Sequence, residues 1–229
     1  MPRETFDREL KRLQDETLVL GSIVENALTQ SVAALKKRDF AASRRLIEQD
    51  CQINERRFAI ESDALILIAT QQPIASDLRT IAAVLEITTE LERIGDYAKG
   101  IAKINLLIGD RPLVKPLIDL PVMAEKARAM LHQALDAFVR RDVDLARAIP
   151  AEDDVIDGLY NQVYRELLTH IMQDHTLIEQ ANYLLWAAHN LERAGDRVIN
   201  ICERVVFTVT GEMEELDVKE GTCITPEAI

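Results

Sequence analysis

Glu92 and Asp96 stand four residues apart in Leu91-Glu92-Arg93-Ile94-Gly95-Asp96, and Glu192 and Asp196 stand four apart in Leu191-Glu192-Arg193-Ala194-Gly195-Asp196. On a helix this spacing raises both carboxylates of a pair from adjacent turns of one face. A single pair of this kind is ordinarily a solvated surface. Two near-copies one hundred residues apart indicate a duplicated unit in which each copy presents a carboxylate site. Leu78, Ile81, Leu85 and Thr88 lead to the first pair along one stripe, and Ile178, Ala181, Leu185 and Ala188 lead to the second. The acids therefore border an apolar seam, where unpaired charge is expensive.

A second set of oxygen-bearing residues has the same spacing: Asp50 and Asn54 in the first unit, Asp153 and Asp157 in the second. If the helices on either side of Pro73 form an antiparallel hairpin, Asn54 lies 19 residues before the turn and Glu92 lies 19 after it, while Asp50 and Asp96 are each 23 away. In the second unit the matching midpoints fall between Asp174 and His175. The two sets are thus expected to face one another about 28 Å from the turn, at about 1.5 Å of rise per residue. Oxygen ligands converging on a helix seam suit Mg, Ca, Mn or Fe, and clustered acids can bridge ions. The carboxylate sets of di-iron bundles follow the same logic, although those use a Glu-x-x-His pattern that this chain lacks.

Other readings of the same residues stay open. Arg93 and Arg193 could supply counter-charge, but adjacent helical residues diverge by about 100°. Gly95 and Gly195 cost about 1 kcal/mol each in a helix interior, so close helix approach or room for a ligand must require them. His189, three residues before Glu192, could join the second site, though a packed or supporting role fits it better; its counterpart is Thr89. His132, His170 and His175 lack ligand-like company. Trp186, Tyr160 and Tyr164 read as packing residues at helix seams, with the hydroxyls of Tyr160 and Tyr164 able to stay in water. The chain has no phosphate-cradling glycine loop, nucleophile elbow or HExxH motif.

The elements that must position these acids follow from periodicity. Leu10, Leu13, Leu20, Val24, Leu28 and Leu35, with Thr17 and Ser31 filling the missing steps, recur in steps of three and four in a first helix, and Asp39 can cap a second from about Phe40 to Thr70. A third runs to Leu107 and ends at Gly109. A proline-rich linker follows, and the pattern then restarts from Val122 to Arg140, to Gln173 and to Val209. Arg38-Asp39 matches Arg141-Asp142, and Asp50, Ile53 and Asn54 match Asp153, Ile156 and Asp157, at an offset of 103. Pro150 is expected to delay or kink the fifth helix. The fold class is therefore all-α: two tandem, similar three-helix bundles, with residues 1–109 as first repeat, 110–121 as linker, 122–211 as second repeat and 212–229 as an acidic tail.

Composition agrees. Of 229 residues 48% are hydrophobic and only 4% aromatic, a balance that packs helices. The net charge of -12 argues against nucleic acid and against a purely electrostatic hold on anionic lipid. Cys51, Cys202 and Cys223 lack zinc-site or disulfide spacing; Cys51 and Cys202 read as small core residues, Cys223 as part of a polar tail, and a reducing compartment is expected. Met1 to Leu13 has no signal-peptide core, and no apolar run is expected to span a bilayer.

The doubled motif, Gln72-Pro73 followed by Asp77-Leu78-Arg79, and Asn190 before the second copy make the chain resemble the PhoU family of phosphate-uptake regulators over its whole length. The resemblance implies two three-helix bundles side by side, with metal ions held at the acid motifs. Carried onto this chain, those positions are Glu92, Asp96, Glu192 and Asp196; Asp50, Asn54, Asp153 and Asp157 rest on the hairpin register. The ion would be divalent or trivalent, with Fe, Zn, Mn, Mg and Ca all admitted. The resemblance also implies a cytoplasmic, non-catalytic adaptor that restrains both a phosphate ABC transporter and its sensor histidine kinase when phosphate is plentiful, touching the membrane only through these partners. A homodimer is expected. The competing reading is a metal-dependent carboxylate-bundle enzyme, hydrolytic or oxygen-activating.

Overall fold

The computed structural model describes residues 3–216, and Cys223 lies outside them. Among the described residues every regular element is helical. The first bundle comprises α1 (Arg3–Lys37), α2 (Phe40–Gln71) and α3 (Ala75–Ile108). The second comprises α4 (Asp119–Arg140), the short α5 (Val143–Ala148), α6 (Asp153–Gln173) and α7 (Ile178–Thr210). The two bundles are all-α and built on the same plan of three long helices, as the repeat implies, with the middle helix of the second interrupted.

The helix junctions show why the chain folds this way. At the first corner Arg38 adopts a left-handed φ of 59°, and Asp39 then caps α2 by accepting a hydrogen bond from the Ala42 amide at 2.8 Å. The second corner repeats the device: Arg141 has φ 56°, and Asp142 accepts from the Leu145 amide at 3.0 Å. Each carboxylate satisfies an orphan donor of the helix it starts. The first corner is locked further by Asn105 of α3, which donates to the Ala34 carbonyl and to Ser43 Oγ and accepts from Arg38.

The two repeats differ at the helix after this corner. Pro150 falls in a 3-10 turn, Ile149–Glu152, which separates α5 from α6. A proline inside an α-helix removes one ladder bond and crowds the carbonyl four residues back, so the backbone tightens for a turn and restarts at Asp153. What is continuous in α2 is therefore broken in its counterpart. The linker is also shorter than its prolines suggest: α4 begins at Asp119, and Pro121 sits in the first turn, where a missing N–H breaks no helical bond. Lys115, buried in this linker, pairs with Asp119 at 3.0 Å and with Glu166, tying the linker to α6.

One apolar core runs through both bundles. Leu20, Val24, Leu28, Leu35, Ile81, Ile87, Leu91, Met130, Phe138, Leu191 and Val206 are all essentially inaccessible. α3 packs along α7 and α1 against α4. A Cβ on Gly21 of α1 would meet Leu135 Cδ1 of α4 at 2.2 Å, so the small residue admits the leucine. Polar contacts line the same boundary: Arg197 and Asn200 reach Glu90 at 3.4 and 3.3 Å, and Arg204 reaches Glu86 at 3.2 Å. One stretch of α1 has the length and mean hydropathy, 1.4, of a bilayer-spanning helix. That apolar content is the Leu20-to-Leu35 stripe, which here covers the core.

Two packing expectations are corrected. Cys51 is exposed, because its neighbour Asp50 and also Ile53 face inward and a step of one residue turns the side chain by about 100°. Trp186 is 55% exposed, on the outer face of α7 between the buried Leu184 and Ala187. Cys202 is buried as expected, and burial pushes its thiol up to about 12.

Candidate functional site

α2 and α3 run antiparallel about Pro73, and their facing surfaces bring Asp50 to Asp96. Asp50 is 5% exposed although it is an acid. The reason is Lys99, one turn beyond Asp96, whose Nζ donates to Asp50 Oδ2 at 2.6 Å and to Asp96 Oδ1 at 3.4 Å. Asn54 donates to Asp50 Oδ2 at 3.3 Å from the next turn of α2. Ile53 lies between these polar residues against Gly95; a Cβ there would stand 2.9 Å from Ile53 Cδ1. Glu92 completes the set. Burial raises its carboxyl above the ordinary value, with Asp96 and Asp50 adding to the rise and Arg57 and Arg93 opposing it. The same hydrogen bond to Asp50 holds the Lys99 ammonium above its usual range, against burial.

In the second bundle α6 starts at Asp153, so the 3-10 turn leaves this residue in register with its α7 partners. Asp153 is 6% exposed and its Oδ1 rests on the bare Cα of Gly195, where a Cβ would stand only 2.1 Å away. Ile156 Cδ1 would be 3.3 Å from the same atom. Gly195 thus answers the question that the sequence left open: it is a cradle for a carboxylate, whereas Gly95 makes room for an aliphatic chain. Glu192 is pushed above the ordinary carboxyl value by burial, then by Asp196 and Asp157, with His189 and Arg193 opposing. Its buried Oε2 accepts no hydrogen bond and lies 3.1 Å from His189 Nδ1. His189 also meets the ring of Tyr160 at 6.1 Å, and Arg193 reaches Asp196 at 3.5 Å.

The expected residues therefore gather as two seams: Asp50, Asn54, Glu92 and Asp96 between α2 and α3, and Asp153, Asp157, Glu192 and Asp196 between α6 and α7. Among the described residues no three His, Cys, Asp or Glu side chains converge tightly enough to chelate an ion as they stand. The chemistry of the donors nonetheless suits a hard or intermediate cation, being anionic and almost wholly oxygen, and Gly195 opens a recess a side chain would fill. Nothing in either seam pairs a nucleophile with a base.

Lys99 and Arg57 escaped the sequence reading. The signal was available: Lys99 follows Asp96 by three residues, a helical neighbour, and its counterpart one hundred residues on is Ile199. Arg57 corresponds, at the offset of 103, to Tyr160.

Comparison with known proteins places this arrangement. A family model described as the PhoU domain matches twice, over residues 17–104 and 120–205. The chain is 36% identical over 221 residues to the phosphate-specific transport system accessory protein PhoU homolog of Clostridium acetobutylicum, covering 95% of this chain and 100% of the relative. It is 35% identical over 207 residues to the phosphate-specific transport system accessory protein PhoU of Escherichia coli strain K12, covering 90% and 86%. Among solved structures, the phosphate transport system regulatory protein PhoU from Streptococcus pneumoniae superposes with a TM-score of 0.84 at 32% identity, over 91% of this chain and 99% of that one. PhoU from Pseudomonas aeruginosa gives the same TM-score at 33% identity, over 90% and 100%.

Proposed function

Because the chain belongs to the PhoU family, we propose that it is an accessory and regulatory protein of a phosphate-specific transport system, acting by protein contacts and not by catalysis. The observation that carries the reading is the double family match, one per bundle, over residues 17–104 and 120–205. In this role the protein is a cytoplasmic adaptor between the phosphate ABC transporter and its sensor histidine kinase, reaching the membrane through those partners and restraining both when phosphate is abundant. Deleting the gene should derepress phosphate-starvation genes in phosphate-rich medium. Unchanged expression would overturn the reading.

The seams extend it. Glu92 and Asp96 with Asp50 and Asn54, and Glu192 and Asp196 with Asp153 and Asp157, would hold divalent or trivalent metal ions. A bound ion supplies positive charge. The chain's own residues do the rest: Gly195 lets the Asp153 carboxylate reach α7, and burial of Glu92 and Glu192 raises the cost of leaving the acids uncompensated. Such an ion would stiffen each hairpin and hence the outer surfaces presented to partners. Elemental analysis of protein purified without added metal or chelator checks it, and metal-free protein that still binds its partners would remove the ion from the regulatory role.

A further inference from the structure

The two seams are copies in sequence but not in charge, and the difference that bears most on a cation lies just beyond the acid motif. Three residues beyond the aspartate of each motif stand Lys99 and Ile199. Lys99 places its ammonium 2.6 Å from the buried Asp50 carboxylate and 3.4 Å from that of Asp96, bridging α2 and α3 through the acids a cation would bridge. Ile199 is 2% exposed and carries no charge. The acid count changes in the same direction, from three acids and Asn54 in the first seam to four acids in the second. Arg57, which opposes the charge on Glu92, becomes Tyr160. Cations stand beside the second seam as well, among them Arg193 at 3.5 Å from Asp196, His189 at 3.1 Å from Glu192, and Lys126, which pairs at 2.8 Å with Glu152 just before Asp153.

We infer that Lys99 is a tethered counter-ion occupying the cation position of the first seam, so that this chain takes up metal preferentially at the second seam. The proposal rests on the metal reading of the seams given above. An ammonium on the chain itself competes with any free ion at high effective concentration, and an ion entering the first seam must displace a short, charge-assisted hydrogen bond from a buried acid. At the second seam the residue in Lys99's place offers no such competitor.

The test is Mn(II) binding to the full-length, chelator-treated protein, followed by calorimetry and by elemental analysis after gel filtration. Tight uptake should disappear in Glu192→Gln/Asp196→Asn and survive in Glu92→Gln/Asp96→Asn. Lys99→Met should add a second class of site, or tighten the weak one at least tenfold, and the added uptake should vanish when Glu92→Gln/Asp96→Asn is combined with it. Lys99→Gln, which keeps a hydrogen-bond donor for Asp50 while losing the charge, should behave alike and guards against misfolding of Lys99→Met; circular dichroism confirms the fold of each. If uptake is lost equally with either acid pair and neither Lys99 variant changes it, the Lys99 inference falls while the metal reading stands. If neither the parent nor the Lys99 variants take up Mn(II) at millimolar concentration, the metal reading fails and the inference falls with it.

Discussion

In the first bundle an ammonium stands among the acids of the α2–α3 seam; in the second, an isoleucine takes its position, a fourth acid replaces Asn54, and the helix carrying two of the acids has been broken at Pro150. The two seams began as one unit, since both keep the acid motif, the inward aspartate, the isoleucine three residues after it and the glycine opposite. They have diverged in how buried negative charge is balanced. Charge in a partly buried seam must be compensated, and a tethered cation or an exchangeable one satisfies the same electrostatics. Only the exchangeable one lets composition of the surroundings alter the helix pair. On the proposal made above, the first hairpin would carry its counter-charge permanently and the second would respond to the ions around it.

The largest effect that would sharpen this contrast comes from removing the tethered charge. Breaking a fully buried pair costs about 3–5 kcal/mol, and the partial exposure of Lys99 lowers this, so Lys99→Met should destabilise the metal-free protein by about 2–3 kcal/mol in urea titrations. Adding Asp50→Asn should recover most of the loss, because the charge left behind is then gone. A Lys99→Met variant as stable as its parent would mean that the first seam does not depend on its lysine, and the distinction between the seams would collapse.

The next contrast lies in the two glycines. Ala at 195 would bring a Cβ to 2.1 Å from Asp153 Oδ1 and 3.3 Å from its Cγ, so a buried carboxylate must be displaced. Ala at 95 would meet only the flexible end of Ile53, at 2.9 Å. Overpacking costs about 1–3 kcal/mol, while replacing a helical glycine by alanine returns about 1 kcal/mol. Gly195→Ala should therefore destabilise by about 1–2 kcal/mol and Gly95→Ala should fall near neutrality. Equal effects in thermal melts would show that the second cradle is not specific to a carboxylate.

How much of this was legible beforehand depends on what each feature rests on. The helices were readable because their apolar residues recur in steps of three and four, and because Asp39 and Asp142 sit where caps belong. The break at Pro150 was readable from a rule about one residue type. The meeting of Asp50 with Asp96 followed from counting along a hairpin, since both helices rise equally per residue. Lys99 was missed because a search for ligand types passes over cations, although an i,i+3 neighbour of an acid is a natural partner. The distinct duties of Gly95 and Gly195 were beyond reach, because which side chain fills the space depends on rotamers across the seam. Cys51 and Trp186 were misplaced because residue type was weighed above helical phase.

The smallest effect concerns the charge on Glu192, and it has a definite sign. Burial and the neighbouring Asp196 and Asp157 raise its folded-state carboxyl above the ordinary value. Between the ordinary value and the raised one the folded chain holds a proton that the unfolded chain has released, so this group's contribution to stability falls as pH rises through that window. Below the window Glu192 is neutral in both states and Glu192→Gln should change little. Above it the charge is retained at a cost, which the glutamine removes. In chelator at neutral pH, Glu192→Gln should raise the melting temperature by up to about 2–4 °C, the shift that about 1 kcal/mol produces in a chain of this size. The gain should fade on acidification through the carboxylate range, and saturating metal should reverse its sign, because the variant then lacks a ligand. The matching Glu92→Gln change should respond to pH in the same direction but show a much weaker reversal, because on the proposal above Lys99 competes with an ion for its seam. A metal-dependent reversal of equal size at both positions would erase the asymmetry between the two repeats.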